Sequence, residues 1–215
     1  MELRPDLVGQ IQADPAATEL QQRLVTEACR ACDHWNLLLH INESSEEYIR
    51  EIYQTVFFWN TVRRSLQDGV ILRLATMLDP RQDVVSMPNI LRLIEIHARG
   101  NGSRLGIELA DFDSVKIEDD IKSVHKLEPV VEKILTLRND VIAHRSANII
   151  ATHRINLLPE ISNDEVNALL DLLYSLATKY AVLYGQNPTS RHMIGSDDYQ
   201  QLFKALRKGF DLGEM

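Results

Sequence analysis

Near residue 140 the chain reads Leu137, Arg138, Asn139, Asp140, Val141, Ile142, Ala143, His144, Arg145. Arginine and histidine here have the side chains that phosphate and proton chemistry need. A guanidinium holds an anion through paired hydrogen bonds, and an imidazole gains and loses a proton near neutral pH. On a helix, Arg138 and His144 stand ~9 Å apart along the axis and ~120° apart around it. An arginine is long enough to close much of that gap. Asp140 and His144 are four residues apart, so they share a face and can pair. Ile134, Leu137, Val141 and Ile142 supply the apolar face of the same helix. Helix ends also collect Arg and His for a plainer reason, because cations suit the negative end of the helix dipole.

A second polar feature lies upstream. Thr61, Arg64, Ser65 and Asp68 form one stripe on a helix otherwise bounded by Phe57, Leu66, Val70 and Ile71. A polar stripe on a buried helix must find partners. The expectation is that Arg64 and Asp68 join a network beside the Arg138 helix; the alternative is a structural network or an exposed seam. Trp59 reads as core or as dimer interface. His34, His40, His97, His125, His153 and His192 sit in unlike contexts and carry no assigned role. Cys29 and Cys32 make a lone C-x-x-C with no second half to complete four zinc ligands, and read as two half-buried helix cysteines. No metal and no cofactor is expected.

Around these residues the chain is built from helices. Asp14-Pro15 opens one through about Ile41, by an N-cap with proline at the first helical position. Ser44, Ser45, Glu46 and Glu47 spell a capping box, predicting a single helix to Asp79-Pro80, roughly 50 Å long. Gly69 in its middle marks a bend or a close helix contact. Ser86 caps a helix through Arg99, with Pro88 in its first turn. Gly100-Asn101-Gly102 breaks the chain, and a short strand or ordered loop is expected up to Asp111. Asp113 opens a helical region to about Ser146, with a kink or restart at Pro129. Ser162 to Glu165 spell another capping box, for a helix closed by Gly185. A last helix is expected from Ser196 to Lys208, ended by Gly209. The reading is all-α: one domain over 1–215, an up-and-down bundle with long helices and a C-terminal helical extension over 186–215.

Composition limits what this bundle does. The 215 residues are 45% hydrophobic and 25% charged, an ordinary balance for a folded protein. No apolar run approaches the roughly 20 residues of a membrane span. The N-terminus has no basic head followed by an apolar stretch, so a cytoplasmic chain without a signal peptide is expected. A net charge of −8 opposes non-specific grip on nucleic acid but leaves room for a local arginine site.

An arginine, a polar residue directly after it, five intervening residues in all, and a histidine, late in an all-α chain, resemble the R-x(4–6)-H motif of the HEPN superfamily. The earlier helix, with Phe58-Trp59-Asn60-Thr61-Val62-Arg63-Arg64-Ser65 and then Ile71 through Pro80, is similar to the AbiU-type branch of abortive-infection HEPN proteins. The resemblance implies a metal-independent endoribonuclease, acting as a dimer in which two motif helices face a shared cleft. It implies catalytic roles for Arg138 and His144. His144 takes the proton of a ribose 2′-hydroxyl, and Arg138 stabilises the pentavalent phosphate, leaving a 2′,3′-cyclic phosphate. Asn139 then orients the phosphate or His144, and Asp140 fixes the imidazole tautomer. The expected partners are an RNA substrate and a second copy of the chain, with no membrane. A neutralising antitoxin is compatible with a toxin of this kind, though no residue identifies one. Two rivals use the same residues: a non-catalytic RNA- or nucleotide-binding dimer, and a plain helical scaffold whose Arg138 and His144 face solvent.

Overall fold

A computed structural model describes residues 15–81, 84–99, 114–139, 159–183, 186 and 198–213. The described residues are all-α. Eight helices follow in order: α1 (Pro15–Glu43), α2 (Ile49–Gln54), α3 (Val56–Leu78), α4 (Met87–Arg99), α5 (Ser114–Lys126), α6 (Glu128–Leu137), α7 (Asn163–Leu183) and α8 (Asp198–Gly213). Residues 100–113, where a strand or loop was expected, lie outside the described residues.

Helix α1 is the axis of the bundle. Its buried residues Leu24, Val25, Ala28, Ala31, Cys32, Trp35 and Leu38 recur every three or four positions, and the stripe packs between α3 and α7. In the same core lie Leu169, Leu170, Leu173 and Leu176 of α7, spaced by one, three and three. Polar bonds set the register. The Trp35 indole donates to Asn167 Oδ1 at 2.7 Å, and Gln21 Nε2 donates to the Ala177 carbonyl at 2.7 Å. Cys32 is fully buried rather than half-buried, packed as a small hydrophobe. Helix α3 continues through Gly69, where a Cβ would lie 2.5 Å from His34 Nδ1, so the glycine admits α1 at close range.

Local rules hold where nothing competes with them. The second capping box closes as spelled: the Ser162 amide donates to Glu165 Oε2 at 2.9 Å, and the Glu165 amide donates to Ser162 Oγ at 3.2 Å. The restart near Pro129 also forms, with Leu127 at φ −96°, ψ 5° between α5 and α6.

The predicted 44–79 helix is instead a turn, a short helix and a long one. Ser44 and Ser45 finish α1 rather than open the next helix. The Ser44 amide donates to the His40 carbonyl at 2.9 Å, and the Ser45 hydroxyl to the Asn42 carbonyl at 2.5 Å. Helix α2 therefore begins only at Ile49, behind an N-cap, Tyr48, that makes no side-chain cap bond. The second break is at Thr55. Its hydroxyl donates to the Glu51 carbonyl at 2.7 Å. The amide turns to the Ile52 carbonyl at 3.2 Å instead.

The broken segment receives α8. Phe203 stacks between Trp59 (4.4 Å) and Tyr48 (4.5 Å), in a small second core with Ile41 and Ile52. Trp59 is thus core. Arg207 Nε donates to the buried Glu51 carboxylate at 2.7 Å. Helix α8 runs past Gly209 to Gly213, where Gly209 was expected to end it. The hydrogen bond from Arg207 holds the Glu51 carboxyl below its usual range, against the upward push of burial. Arg207→Ala leaves that carboxylate buried without its cation. Urea melts should show a loss of stability, smaller than for a pair buried on both sides because the Arg207 side chain is 41% exposed. This Arg207-dependent increment is present above the ordinary glutamate pKa and fades as pH falls through the lowered folded value.

Candidate functional site

Two helix ends meet at Asp79. Helix α3 stops at Leu78, and Asp79 leaves it at φ −62°, ψ 119°, the extended conformation that a following proline favours. Helix α6 buries Val130 and Ile134 and delivers Arg138 at its last turn. The Arg138 amide reaches back to the carbonyls of Ile134 and Leu135, and the helix widens into a π-type turn over 138–139.

The Asp79 side chain is only 3% exposed and lies between two guanidiniums. Arg138 Nη1 donates to Asp79 Oδ2 at 2.8 Å. Arg81 closes on the same carboxylate, its Nε 3.0 Å from Oδ1 and its Nη2 3.0 Å from Oδ2. The Arg81 amide adds a bond to Oδ1 at 3.0 Å. Burial alone would raise the carboxyl pKa. The bonds from Arg81 and Arg138 outweigh it and hold the group at about 2. Asp79 is therefore ionised wherever the protein works.

A depressed carboxyl contributes stability above its ordinary pKa, and that contribution is lost as pH falls through the folded value. For Asp79 the window runs from about 3.8 down to about 2. An NMR titration of its carboxyl carbon should give a midpoint near 2. An ordinary aspartate midpoint would mean the guanidiniums are not seated.

The structure treats the expected site residues differently. Arg138 is 21% exposed, anchored rather than free in solvent. Asn139 Oδ1 accepts a hydrogen bond from Arg138 Nε at 3.0 Å, so it helps to orient the arginine. Asp140 and His144 lie outside the described residues. Arg64 and Asp68 are not brought to Arg138. Their side chains are 68% and 41% exposed, and they face each other across one helical turn at 4.0 Å. Asp68 stands about 16 Å and Arg64 about 22 Å up the helix axis from Asp79, on the exposed-seam side of the alternatives. No group of three potential metal ligands occurs among the described residues. Leu78 and Pro80, which flank Asp79, also line an apolar cavity of about 490 Å³ between α4, α5 and α6.

Sequence reasoning missed Asp79 and Arg81 because Asp79-Pro80 reads first as a helix stop. One signal was available. A carboxylate ending so apolar a helix, with an arginine two residues on, is a buried charge in need of cations.

The all-α bundle agrees with the fold expected of a HEPN-like protein. The family model HEPN_AbiU2 (AbiU2) matches residues 14–204, and the chain belongs to that family. No curated protein and no solved structure matches it. Among the described residues no helix is long and apolar enough to cross a membrane.

Proposed function

We propose that this protein is a metal-independent endoribonuclease of the HEPN type, serving as an abortive-infection toxin against phage. The observation that carries the reading is the anchoring of Arg138. The first residue of the motif has two of its nitrogens fixed, by Asp79 and by Asn139, and among the described residues Nη2 has no hydrogen-bond partner. A guanidinium oriented in advance stabilises developing charge without reorganising, which is where such a group contributes most to rate.

In the reaction, His144 removes the 2′-hydroxyl proton and the 2′-oxygen attacks the adjacent phosphorus. Arg138 holds the non-bridging oxygens as charge builds there. The bond from phosphorus to the 5′-oxygen breaks, and that oxygen takes a proton from the imidazole of a second copy. The products are a 2′,3′-cyclic phosphate and a 5′-hydroxyl. One chain supplies one Arg and one His, so the acid and the base come from two protomers facing across the C-terminal half of the motif helix.

The test is cleavage of varied RNAs by the purified chain. Activity is expected to survive excess chelator, with cyclic phosphate at the new 3′ ends. Activity that vanishes with chelator would refute the mechanism. The Asp79–Arg138 pair also favours a second reading, a helical scaffold in which Arg138 only ties α6 to α3. A scaffold cleaves nothing, and His144→Ala would leave it unchanged.

A further inference from the structure

We propose that the outer face of α2 and of the first half of α3 is a self-association surface, on which a second copy of the chain docks antiparallel about a two-fold axis near Asn60 and Thr61. The inference does not rest on the ribonuclease reading. Phe57, at the head of this face, stands about 33 Å along the helix axis from Asp79, where Arg138 is anchored.

The small core under α8 takes Tyr48, Ile52 and Trp59 inward. The apolar side chains between them are left on the outside. Phe57 is 83% exposed and Tyr53 73%, while Ile49, Val56 and Phe58 are each about half exposed. At ~200 Å² for a whole aromatic side chain, these residues together offer roughly 600 Å² of apolar surface. That is the upper end of what a monomer shows in its largest patch. An interface of standard size buries about 800 Å² on each partner, a little over half of it apolar. The exposed aromatic and aliphatic groups supply that apolar share, and the polar stripe beside them supplies the rest.

The stripe fits a copy of itself. A two-fold interface needs a surface that is its own complement. Phe57, Thr61, Arg64 and Asp68 recur every three or four residues along one side of α3. With Tyr53 they mark an exposed face whose middle falls between Asn60 and Thr61, both exposed. Antiparallel pairing about that middle sets Phe57 of each copy opposite Arg64 of the other, and Tyr53 toward Asp68. A guanidinium over an aromatic ring and a phenol donating to a carboxylate are both favourable, and the two-fold makes each of them twice. Thr61 sits at the crossing. Its hydroxyl donates to the Phe57 carbonyl of its own helix at 2.8 Å, so its methyl group is what meets the other copy. The exposed Arg64–Asp68 contact, at 4.0 Å, contributes little within one chain and is readily exchanged for contacts to a second.

The test is sedimentation velocity of the full chain across the micromolar range. Phe57→Arg sets like charges against each other at both ends of the interface. It is expected to weaken association at least about hundredfold, roughly tenfold for each aromatic lost, and to cut the assembly mass by half or more. Adding Arg64→Glu to Phe57→Arg restores opposite charges across the two-fold and should bring the mass back. Cross-linking reads the register directly. A short bis-maleimide should join two chains of Thr61→Cys, and should fail when Phe57→Arg is added. The wild type treated alike gives the background from Cys29, since Cys32 is buried. Circular dichroism verifies folding, and so exposed a phenylalanine can be replaced without touching the core. A wild-type chain that stays monomeric throughout would overturn the proposal and assign the face to a different partner. An assembly whose mass is unchanged by Phe57→Arg would overturn it too, and leave the motif-helix dimer of the ribonuclease reading standing. Mass lost in Phe57→Arg and not restored by Arg64→Glu would overturn the antiparallel register.

Discussion

Replacing His144 by alanine is expected to lower RNA cleavage by about 100- to 10,000-fold, the usual contribution of a positioned proton-transfer group. The fold should survive the change. A histidine near a helix end contributes at most ~2 kcal/mol through the dipole, and less where it is solvated. Thermal melts of the variant should therefore stay close to wild type while single-turnover cleavage collapses. The pH profile adds an independent check. If two copies supply base and acid, kcat/KM should be bell-shaped around neutrality, with both limbs due to imidazole. Cleavage unchanged in His144→Ala would remove the mechanism altogether, and would leave the motif as an ordinary cationic helix end.

Arg138→Ala should produce two losses of different origin. Removing a preorganised donor to the phosphate costs about 100- to 1,000-fold in kcat. The same change strips one of two guanidiniums from a carboxylate that is 3% exposed. An under-satisfied buried acceptor costs about 1–3 kcal/mol of stability. The Asp79 carboxyl, now held at about 2, should titrate higher in the variant. Arg138→Lys separates the effects, since an ammonium can restore charge beside Asp79 but not the fork that reaches both anchor and ligand. Stability should return further than activity. If activity instead tracks the folded fraction in both variants, Arg138 is a structural tie and the scaffold reading gains. Cleavage should be measured well below each variant's Tm, so that unfolding does not pass for lost chemistry.

Much of this architecture was legible in local sequence, for a definite reason. The Ser162–Glu165 box and the restart before Pro129 depend on residues within a turn or two of one another. The all-α class and the resemblance to AbiU-type HEPN proteins rest on the same short-range patterns. Where two local rules competed, the sequence alone could not choose between them. Ser44 and Ser45 could open one helix or close another, and α1 claimed their bonds. The helix breaks at Thr55 with no local signal that marks it, and α8 packs against the broken segment through Phe203 and Arg207. The Arg64–Asp68 stripe shows the converse. Its spacing was real, but only packing could decide whether its face was covered, and it remains exposed. The site depended most on tertiary structure. Arg138 finds its carboxylate 59 residues upstream, beyond the reach of any periodicity. That pairing exists because α3 and α6 end at the same place, and helix packing, not residue spacing, determines where helix ends meet.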